Sequence, residues 1–285
     1  MIRGNLDYNN NNQPASNLNN HFYIPQTPEI GNVIHSIWQA ERFHMFDTEH
    51  ILPKGVVEII FNFSDSDPIL ARLNGNTSHL SKCFINGFNT KPIQLQIPKS
   101  QLFFGVTFQP LAIKKIFGTP ASEFSDITVD VTLLDSSFHS LWHQLREQID
   151  FDNRVLIFVE WIRRNFIDWQ PQEKLINHFL YNAKTHEVTV KELANTLFYS
   201  ARQLSRKLSE ATGMNTEEIL LYKKYLYAVD LIHQTELSLT EIAYQSNFSD
   251  QSHFIKTFKN YTAITPGEYK RNKSLVKGHI FENVR

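Results

Sequence analysis

The chain has 285 residues, of which 41% are hydrophobic and 20% are charged, and its formal net charge is −1. This composition is typical of a soluble globular protein of about two domains, and the near-neutral charge excludes a simple polycation. The charge is uneven, however, because residues 184–285 hold 14 Lys and Arg against 11 Asp and Glu, whereas residues 1–183 hold 14 against 18. A nucleic-acid-binding face is therefore expected in the C-terminal third.

Cysteine content and hydropathy indicate the cellular compartment in which the protein is expected. Cys83 is the only cysteine, which excludes a disulfide framework or a thiolate metal cluster and favours a reducing compartment. No apolar run approaches the ~20 residues of a membrane span, and the N-terminus lacks the apolar segment of a signal peptide. We expect a cytoplasmic protein with no membrane partner.

The N-terminal half is predicted to be β-rich. Residues 1–20 contain eight asparagines and few apolar residues, which predicts a disordered tail. Residues 21–135 follow as a β-rich sensor or dimerisation domain, a barrel or sandwich that is possibly cupin-like. Its strands are predicted from β-branched and aromatic runs between turn residues. These runs are residues 55–65, 82–89, 93–98 and 102–110.

Helical periodicity begins after these strands. Residues 110–118 are predicted to form a short helix that ends at Gly118. Residues 136–183 carry apolar side chains at helical spacing and are predicted to be a helical connector. In its first stripe we include Phe138, Leu145 and Ile149.

An internal repeat occupies residues 186–271. Glu192 and Ala194 match Glu241 and Ala243 at an offset of 49. Later positions match at an offset of 50, so the second copy has one extra residue in its turn. The matching pairs at this second offset are Leu204 with Phe254, Leu208 with Phe258, Thr212 with Thr262 and Glu218 with Glu268.

Each copy has the pattern of a helix-turn-helix, at about residues 188–213 and 238–262. A small residue, Ala194 or Ala243, lets a second helix cross closely. Asn247 suits a turn that needs a positive φ, whereas Phe198 at the comparable place would be strained. We therefore expect the first turn to be shaped differently from the second.

The second helix of each copy has an apolar face and a polar face. A solvated surface would explain one such helix, but two copies in tandem favour DNA binding. Arg can read guanine edges, Gln and Ser can read base edges, Lys suits phosphates, and an outward Ile can meet a thymine methyl. The candidate DNA-binding residues are Arg202, Gln203, Ser205, Arg206, Gln251, Ser252, Ile255, Lys256 and Lys259.

The segment between the copies supports the same interpretation. Residues 216–236 have a helical pattern, and about 20 residues at 1.5 Å each span roughly 30 Å. Successive major grooves on one face of B-DNA lie about 34 Å apart. One rigid helix is thus predicted to hold two recognition helices in adjacent groove segments.

At these residues the sequence resembles the AraC/XylS family of bacterial transcription regulators. The stretch "LTEIAYQSNFSDQSHFIKTFKNYTAITPGEYKR" (239–271) is similar to the C-terminal motif of that family. The resemblance implies an all-α DNA-binding domain in residues 184–285. It also implies base contacts by all the candidate residues except Gln203 and Lys259, namely Arg202, Ser205, Arg206, Gln251, Ser252, Ile255 and Lys256. Asn247 and Ala263 replace a frequent Gly, and Leu208 replaces a frequent Phe. The N-terminal half is similar, more weakly, to a β-rich domain of some of these regulators.

The resemblance implies a sequence-specific transcription regulator, more an activator than a repressor. Its expected partners are double-stranded DNA, a small-molecule effector bound at an unknown site, RNA polymerase and a second copy of the chain. We expect a modular protein, in which deletion of residues 1–183 leaves DNA binding intact.

Two other function classes remain open. One is a protein–protein interaction module, and the other is a cupin-like metal-dependent enzyme. The chain has no glycine-rich phosphate loop, HExxH or CxxC motif, so we expect no catalytic residues, no metal and no cofactor. The histidines and the acid that a cupin site would use are scattered without a His-x-His pair. They are His35, His44, His50 and Glu58.

Overall fold

A computed structural model describes residues 18–43, 46–65, 69–165, 171–182 and 187–282. Its β-strands all lie in the first 130 residues, apart from one close to the C-terminus. They are Leu18–Tyr23 (β1), Ile34–Phe43 (β2), Thr48–Ile51 (β3), Val57–Asn62 (β4), Leu70–Leu73 (β5), Asn76–His79 (β6), Cys83–Asn86 (β7), Ile93–Gln96 (β8), Ser100–Phe108 (β9), Thr128–Asp130 (β10) and His279–Glu282 (β11). Strand β1 begins inside the predicted tail, and residues 1–17 lie outside the described residues.

The strands form two antiparallel sheets. The first has the order β1-β2-β9-β4-β7-β10, and the second has the order β11-β3-β8-β5-β6. Ile60 and Phe84 of the first sheet pack in one hydrophobic cluster with Ile93 and Leu95 of the second. Because side chains from both sheets meet in this cluster, the N-terminal half is a β-sandwich, as the strand pattern predicts.

Helices follow the sandwich in the predicted order. A short helix, Ala112–Phe117 (α2; α1 is Pro28–Gly31), ends at Gly118 with φ 70°. The connector consists of Ser137–Arg146 (α3), Phe151–Asn165 (α4) and Pro171–Tyr181 (α5). The prediction that Ile149 continues the buried stripe of α3 is wrong, because α3 ends at Arg146 and Ile149 is 96% exposed.

The connector packs on the outer side of the first sheet. The ring of Phe61 in β4 contacts those of Phe138 in α3 and Phe158 in α4, with centroids 6.2 and 5.9 Å apart. Trp142 Nε1 donates a hydrogen bond to the backbone oxygen of Asn62 at 3.0 Å. The connector and the sandwich therefore share one core.

Within the described residues 187–282, six helices precede the last strand. They are Val190–Thr196 (α6), Ala201–Thr212 (α7), Thr216–Gln234 (α8), Leu239–Gln245 (α9), Gln251–Thr262 (α10) and Pro266–Asn272 (α11). The first helices of the two copies begin 49 positions apart and the second helices 50 apart, as predicted. The extra residue precedes α10, whose N-cap is Asp250, whereas the N-cap of α7 is Ser200.

The linker helix α8 is packed between the two halves of the chain. The side chains of Tyr222 and Tyr225 are fully buried. Their hydroxyls donate to the backbone oxygens of Asn89 at 2.8 Å and Pro53 at 3.0 Å. Since both acceptors belong to the sandwich, α8 connects the two helix-turn-helix units and also fixes them to the N-terminal half.

The chain returns to the sandwich at its C-terminus. Strand β11 pairs antiparallel with β3, so that Ile280 lies opposite His50. The region predicted to be all-α thus ends in a strand of the second sheet. No helix within the described ranges combines the length and apolar character needed to cross a bilayer.

Candidate DNA-binding surface

The two turns share one backbone hydrogen bond and one residue with positive φ, although the second turn is one residue longer. In the first, the N–H of Tyr199 donates to Ala194 O, and in the second the N–H of Phe248 donates to Ala243 O, both at 3.0 Å. Phe198 and Asn247, at matching positions, each have φ 58°. The expectation of a different backbone shape at Phe198 is therefore wrong. The side chain of Phe198 is 76% exposed, so it meets no packed neighbour that would force another conformation.

Local capping explains where the first helix of each unit begins. The hydroxyls of Thr189 and Ser238 accept from the backbone N–H of Glu192 and Glu241, and each glutamate carboxylate accepts in return from the N-cap backbone N–H. The Thr189 backbone hydrogen bond lowers the pKa of Glu192, and the Ser238 hydroxyl lowers that of Glu241. These capping boxes begin both units at equivalent positions.

Helix α7 buries one face and exposes the predicted one. Leu204 and Leu208 are fully buried, whereas Arg202 and Arg206 are exposed and Ser205 is partly buried. Gln203 is exposed, but its side-chain oxygen accepts from the backbone N–H and the hydroxyl of Ser200, at 3.1 and 2.9 Å. This oxygen therefore contributes to helix capping, a role that the sequence analysis missed.

Helix α10 repeats the arrangement. Phe254 and Phe258 are fully buried. Ile255 is partly buried and lies with Asn260 in a shallow depression on the helix surface. The predicted residues that line the same depression are Ser252, Lys256 and Lys259. Gln251 is exposed beside them, and its side-chain oxygen accepts from the Thr240 hydroxyl at 3.3 Å.

The cations of the two polar faces differ from those on the flank of α7 in their ion pairing. Lys207 lies 3.6 Å from a Glu173 carboxylate oxygen, and the carboxylate of Glu210 is paired with Lys114. In contrast, the cations of the polar faces form no ion pair with any described residue. These unpaired cations are Arg202, Arg206, Lys256 and Lys259. Lys259 interacts electrostatically with Glu268, but none of the four is held in an ion pair, so their positive charge is available to an anionic partner.

A lysine of the linker helix supports the second turn. Lys224 Nζ donates to the backbone oxygen of Asn247 at 2.7 Å. The sequence pattern gave no indication of this contact, because α8 and the turn are separated along the chain. Helix α8 has 19 residues, which corresponds to a length of about 28 Å. The predicted match to adjacent groove segments stays a prediction.

Comparison with known proteins agrees with this geometry. Residues 193–272 match a family model described as "Helix-turn-helix domain", and residues 22–130 match a "Domain of unknown function (DUF6597)". Residues 193–272 form an AraC-type helix-turn-helix domain. The predicted resemblance of the C-terminal region is thereby confirmed.

Relatives of this chain include named regulators. It is 23% identical over 200 residues to the uncharacterized HTH-type transcriptional regulator YtdP of Bacillus subtilis (strain 168), covering 65% of this chain and 23% of YtdP. It is 26% identical over 152 residues to the HTH-type transcriptional activator RhaS of Yersinia pestis bv. Antiqua (strain Angola), covering 51% of this chain and 49% of RhaS. The chain thus spans at most about half the length of these relatives.

A solved structure, ToxT from Vibrio cholerae, aligns with 82% of this chain and 98% of its own, at 15% identity and a TM-score of 0.47.

The residues of the cupin-like alternative have other neighbours. The ring of His35 stacks on that of Tyr181 at 4.1 Å. His50 Nε2 lies 3.4 Å from a Glu282 oxygen, and Glu58 pairs with Lys54. In the described part of the chain no three potential metal-ligating side chains come together. His44 lies outside that part.

The residues that follow α7 and α10 occupy equivalent positions in the two units, and exchanging them tests whether their backbone conformations are equivalent. Gly213 follows α7 with φ 77°, and Ala263 follows α10 with φ 64°. Because alanine is strained at positive φ, Ala263→Gly should stabilise the protein by up to about 1 kcal/mol. The reciprocal change, Gly213→Ala, should destabilise it by a similar amount, since the new Cβ would meet only Ser122 and Ser125 side-chain atoms at 3.5–3.9 Å. Urea denaturation of both variants measures the change in the free energy of unfolding, which must have opposite signs in the two variants.

Proposed function

We propose that this protein is a sequence-specific DNA-binding transcription regulator whose helices α7 and α10 enter adjacent major-groove segments. The observation that carries the proposal is the pair of exposed polar faces with cations that form no ion pair with a described acid. The AraC-type domain and the relatives named as transcriptional regulators support it. Activation, rather than repression, is supported by the similarity to the transcriptional activator RhaS.

We assign different roles to the candidate residues. Arg202 and Arg206 read base edges, because the guanidinium fork matches guanine bidentately. Lys256 and Lys259 contact phosphates, because an ammonium acts as a point charge. Ser205, Gln251 and Ser252 provide shorter polar contacts, and Ile255 contacts a thymine methyl group. Gln203 mainly orients the start of α7.

The N-terminal half modulates DNA binding in this proposal. Its sandwich binds a small-molecule effector and contributes to a homodimer, and RNA polymerase is the partner at the promoter. Tyr222 and Tyr225 support this coupling, because the helix that carries both recognition helices is anchored in the sandwich. The protein acts by binding DNA, without catalysis or a cofactor.

Substitution of one cation in each recognition helix tests the proposal. With an operator selected from random duplexes, Arg206→Ala should weaken binding by about 1–3 kcal/mol and relax the preference at one base pair. Lys256→Ala should weaken all duplexes equally and reduce the salt dependence by about one phosphate contact. Fluorescence anisotropy against a series of salt concentrations measures both effects.

Arg164→Ala serves as a charge-matched control, since Arg164 is exposed on α4 and pairs with Glu160 at 3.2 Å. This variant should bind the operator as the parent does. Binding that is independent of salt, or equal loss on all sequences in both recognition-helix variants, would contradict the assigned roles.

A further inference from the structure

A cavity lies inside the β-sandwich, next to the cluster where the two sheets meet. It encloses about 90 Å³ of space open to water-sized groups, which is several times the ~10–15 Å³ that one water molecule needs. Most of its wall is apolar. The large apolar side chains in this wall are Trp38, Ile60, Phe84, Ile93, Leu95 and Phe103.

The charged groups of the wall are paired with other protein groups. Arg42 Nη1 lies 3.1 Å from Glu49 Oε1, and His279 Nδ1 lies 2.6 Å from the same oxygen. Lys54 Nζ lies 2.8 Å from Glu58 Oε1. The remaining charged residue of the wall, Lys91, donates to a backbone oxygen of α10 at 3.0 Å. Lys91 is thus the one cation of the described wall that no acid balances, because its partner is an uncharged backbone oxygen.

Several buried polar atoms of the wall lack partners. Gln101 is only 1% exposed, yet neither Nε2 nor Oε1 forms a hydrogen bond with a described residue. Arg42, directly opposite Gln101 in the β2–β9 pairing, has a buried Nε without a partner, and Asn86 has a buried Oδ1 without one. Since buried polar groups are normally hydrogen-bonded, this set of two donors and two acceptors points to a ligand.

We propose that the cavity binds an uncharged small molecule with an apolar body and a carboxamide-like group, which pairs with the side-chain amide of Gln101. A primary amide supplies a donor and an acceptor in the arrangement that Gln101 requires. An amine finds no unbalanced acid in the described wall, and desolvating it without a counter-charge is costly. A carboxylate has no hydrogen to donate to the unpaired oxygens of Gln101 and Asn86. This inference rests on the proposed function only in that the ligand would be the effector of the regulator.

The wall also includes a residue from the far end of the chain. His279 belongs to β11, which follows α11, and the backbone N–H of the preceding Gly278 donates to the hydroxyl of Tyr269 in α11 at 2.8 Å. A molecule in the cavity thus contacts a strand that is joined directly to the second helix-turn-helix unit. This continuity gives the bound molecule a physical route to the DNA-binding surface.

Titration calorimetry of the full chain with three matched probes tests the ligand class. Octanamide should bind with a Kd at least tenfold lower than octanoate or octylammonium. Gln101→Met, which keeps a similar length but removes both polar atoms, should weaken octanamide binding at least tenfold. The control Gln144→Met, on the exposed face of α3, should leave the affinity unchanged.

A second variant keeps the test decisive if Gln101→Met does not fold. Gln101→Glu removes the amide donor and places a carboxylate opposite Arg42, whose free Nε can pair with it, so octanamide binding should weaken at least tenfold. Octanoate binding as tightly as octanamide, no binding of any probe, or unchanged octanamide affinity in the folded Gln101 variants would overturn the proposal. Since no DNA is present, this result is independent of the test of DNA binding.

Discussion

The Gly55→Ala variant should lose about 2–5 kcal/mol of stability and should loosen the linker helix α8 from the sandwich. Gly55 has φ +68°, and a Cβ there would lie 2.6 Å from Leu226 Cδ1 and 3.2 Å from Tyr222 Cε1. Left-handed backbone costs alanine roughly 1–2 kcal/mol, and overpacking adds about 1–3 kcal/mol. Leu226 can turn away, but the Tyr222 hydroxyl is fixed to the sandwich by its hydrogen bond. Hydrogen exchange along α8 and urea denaturation measure the two effects.

Gly75→Ala is the matched control for this variant. Gly75 has φ +80°, and an added Cβ would meet no atom within 4 Å. It therefore carries the backbone penalty without the contact with α8. If both variants lose the same stability and leave exchange in α8 unchanged, the close approach between Gly55 and the linker helix has no energetic role.

The Lys223→Met variant should also be strongly destabilised, by about 2–4 kcal/mol. Lys223 is 3% exposed, and its Nζ donates to the backbone oxygens of Phe179, Leu180 and Asn182 at 2.8, 3.1 and 2.9 Å. Methionine has a similar length but no donor, so the carbonyls at the end of α5 would lose their partner, at about 1–3 kcal/mol for a buried group. Chemical denaturation measures the difference in the free energy of unfolding between the parent protein and Lys223→Met. Lys224→Met removes a single contact with Asn247 at an exposed site and should cost much less.

The pH dependence gives a further check on Lys223. Burial lowers the pKa of Lys223 to about 7, whereas an unfolded lysine has a pKa of about 10.4. Between these values the unfolded state binds more protons, so this lysine should make the stability of the parent protein rise with pH. Below pH 7 this lysine is charged in both the folded and the unfolded state, so it does not make the stability depend on pH. The same rise in Lys223→Met would show that another group causes it.

The modular behaviour expected from the sequence needs revision in light of these contacts. A fragment that lacks residues 1–183 would expose the buried rings of Tyr222 and Tyr225, and Lys223 would lose its three acceptors. Apolar surface released in this way promotes association. Loss of DNA binding in such a fragment would therefore not by itself contradict the DNA-binding proposal.

Much of the candidate site could be predicted from the sequence because its determinants are local. The apolar spacing of Leu204 and Leu208, and of Phe254 and Phe258, fixes which face of each helix is buried. The capping residues Thr189 and Ser238 fix where the units begin. The role of Gln203 was missed, because a polar residue three positions after an N-cap can either point to a partner or cap the helix.

The sequence by itself therefore determined the two repeated units, their buried faces and the four cations on their outer faces, since hydrophobic periodicity and capping act over a few residues. Tertiary structure alone decided that α8 is held by the sandwich, that β11 joins the second sheet and that Gln101 lies unpaired in a cavity. Glu49 and His279 are separated by 230 positions, yet they share a hydrogen bond. A contact of this kind depends on how whole sheets and helices pack, and no local pattern encodes it.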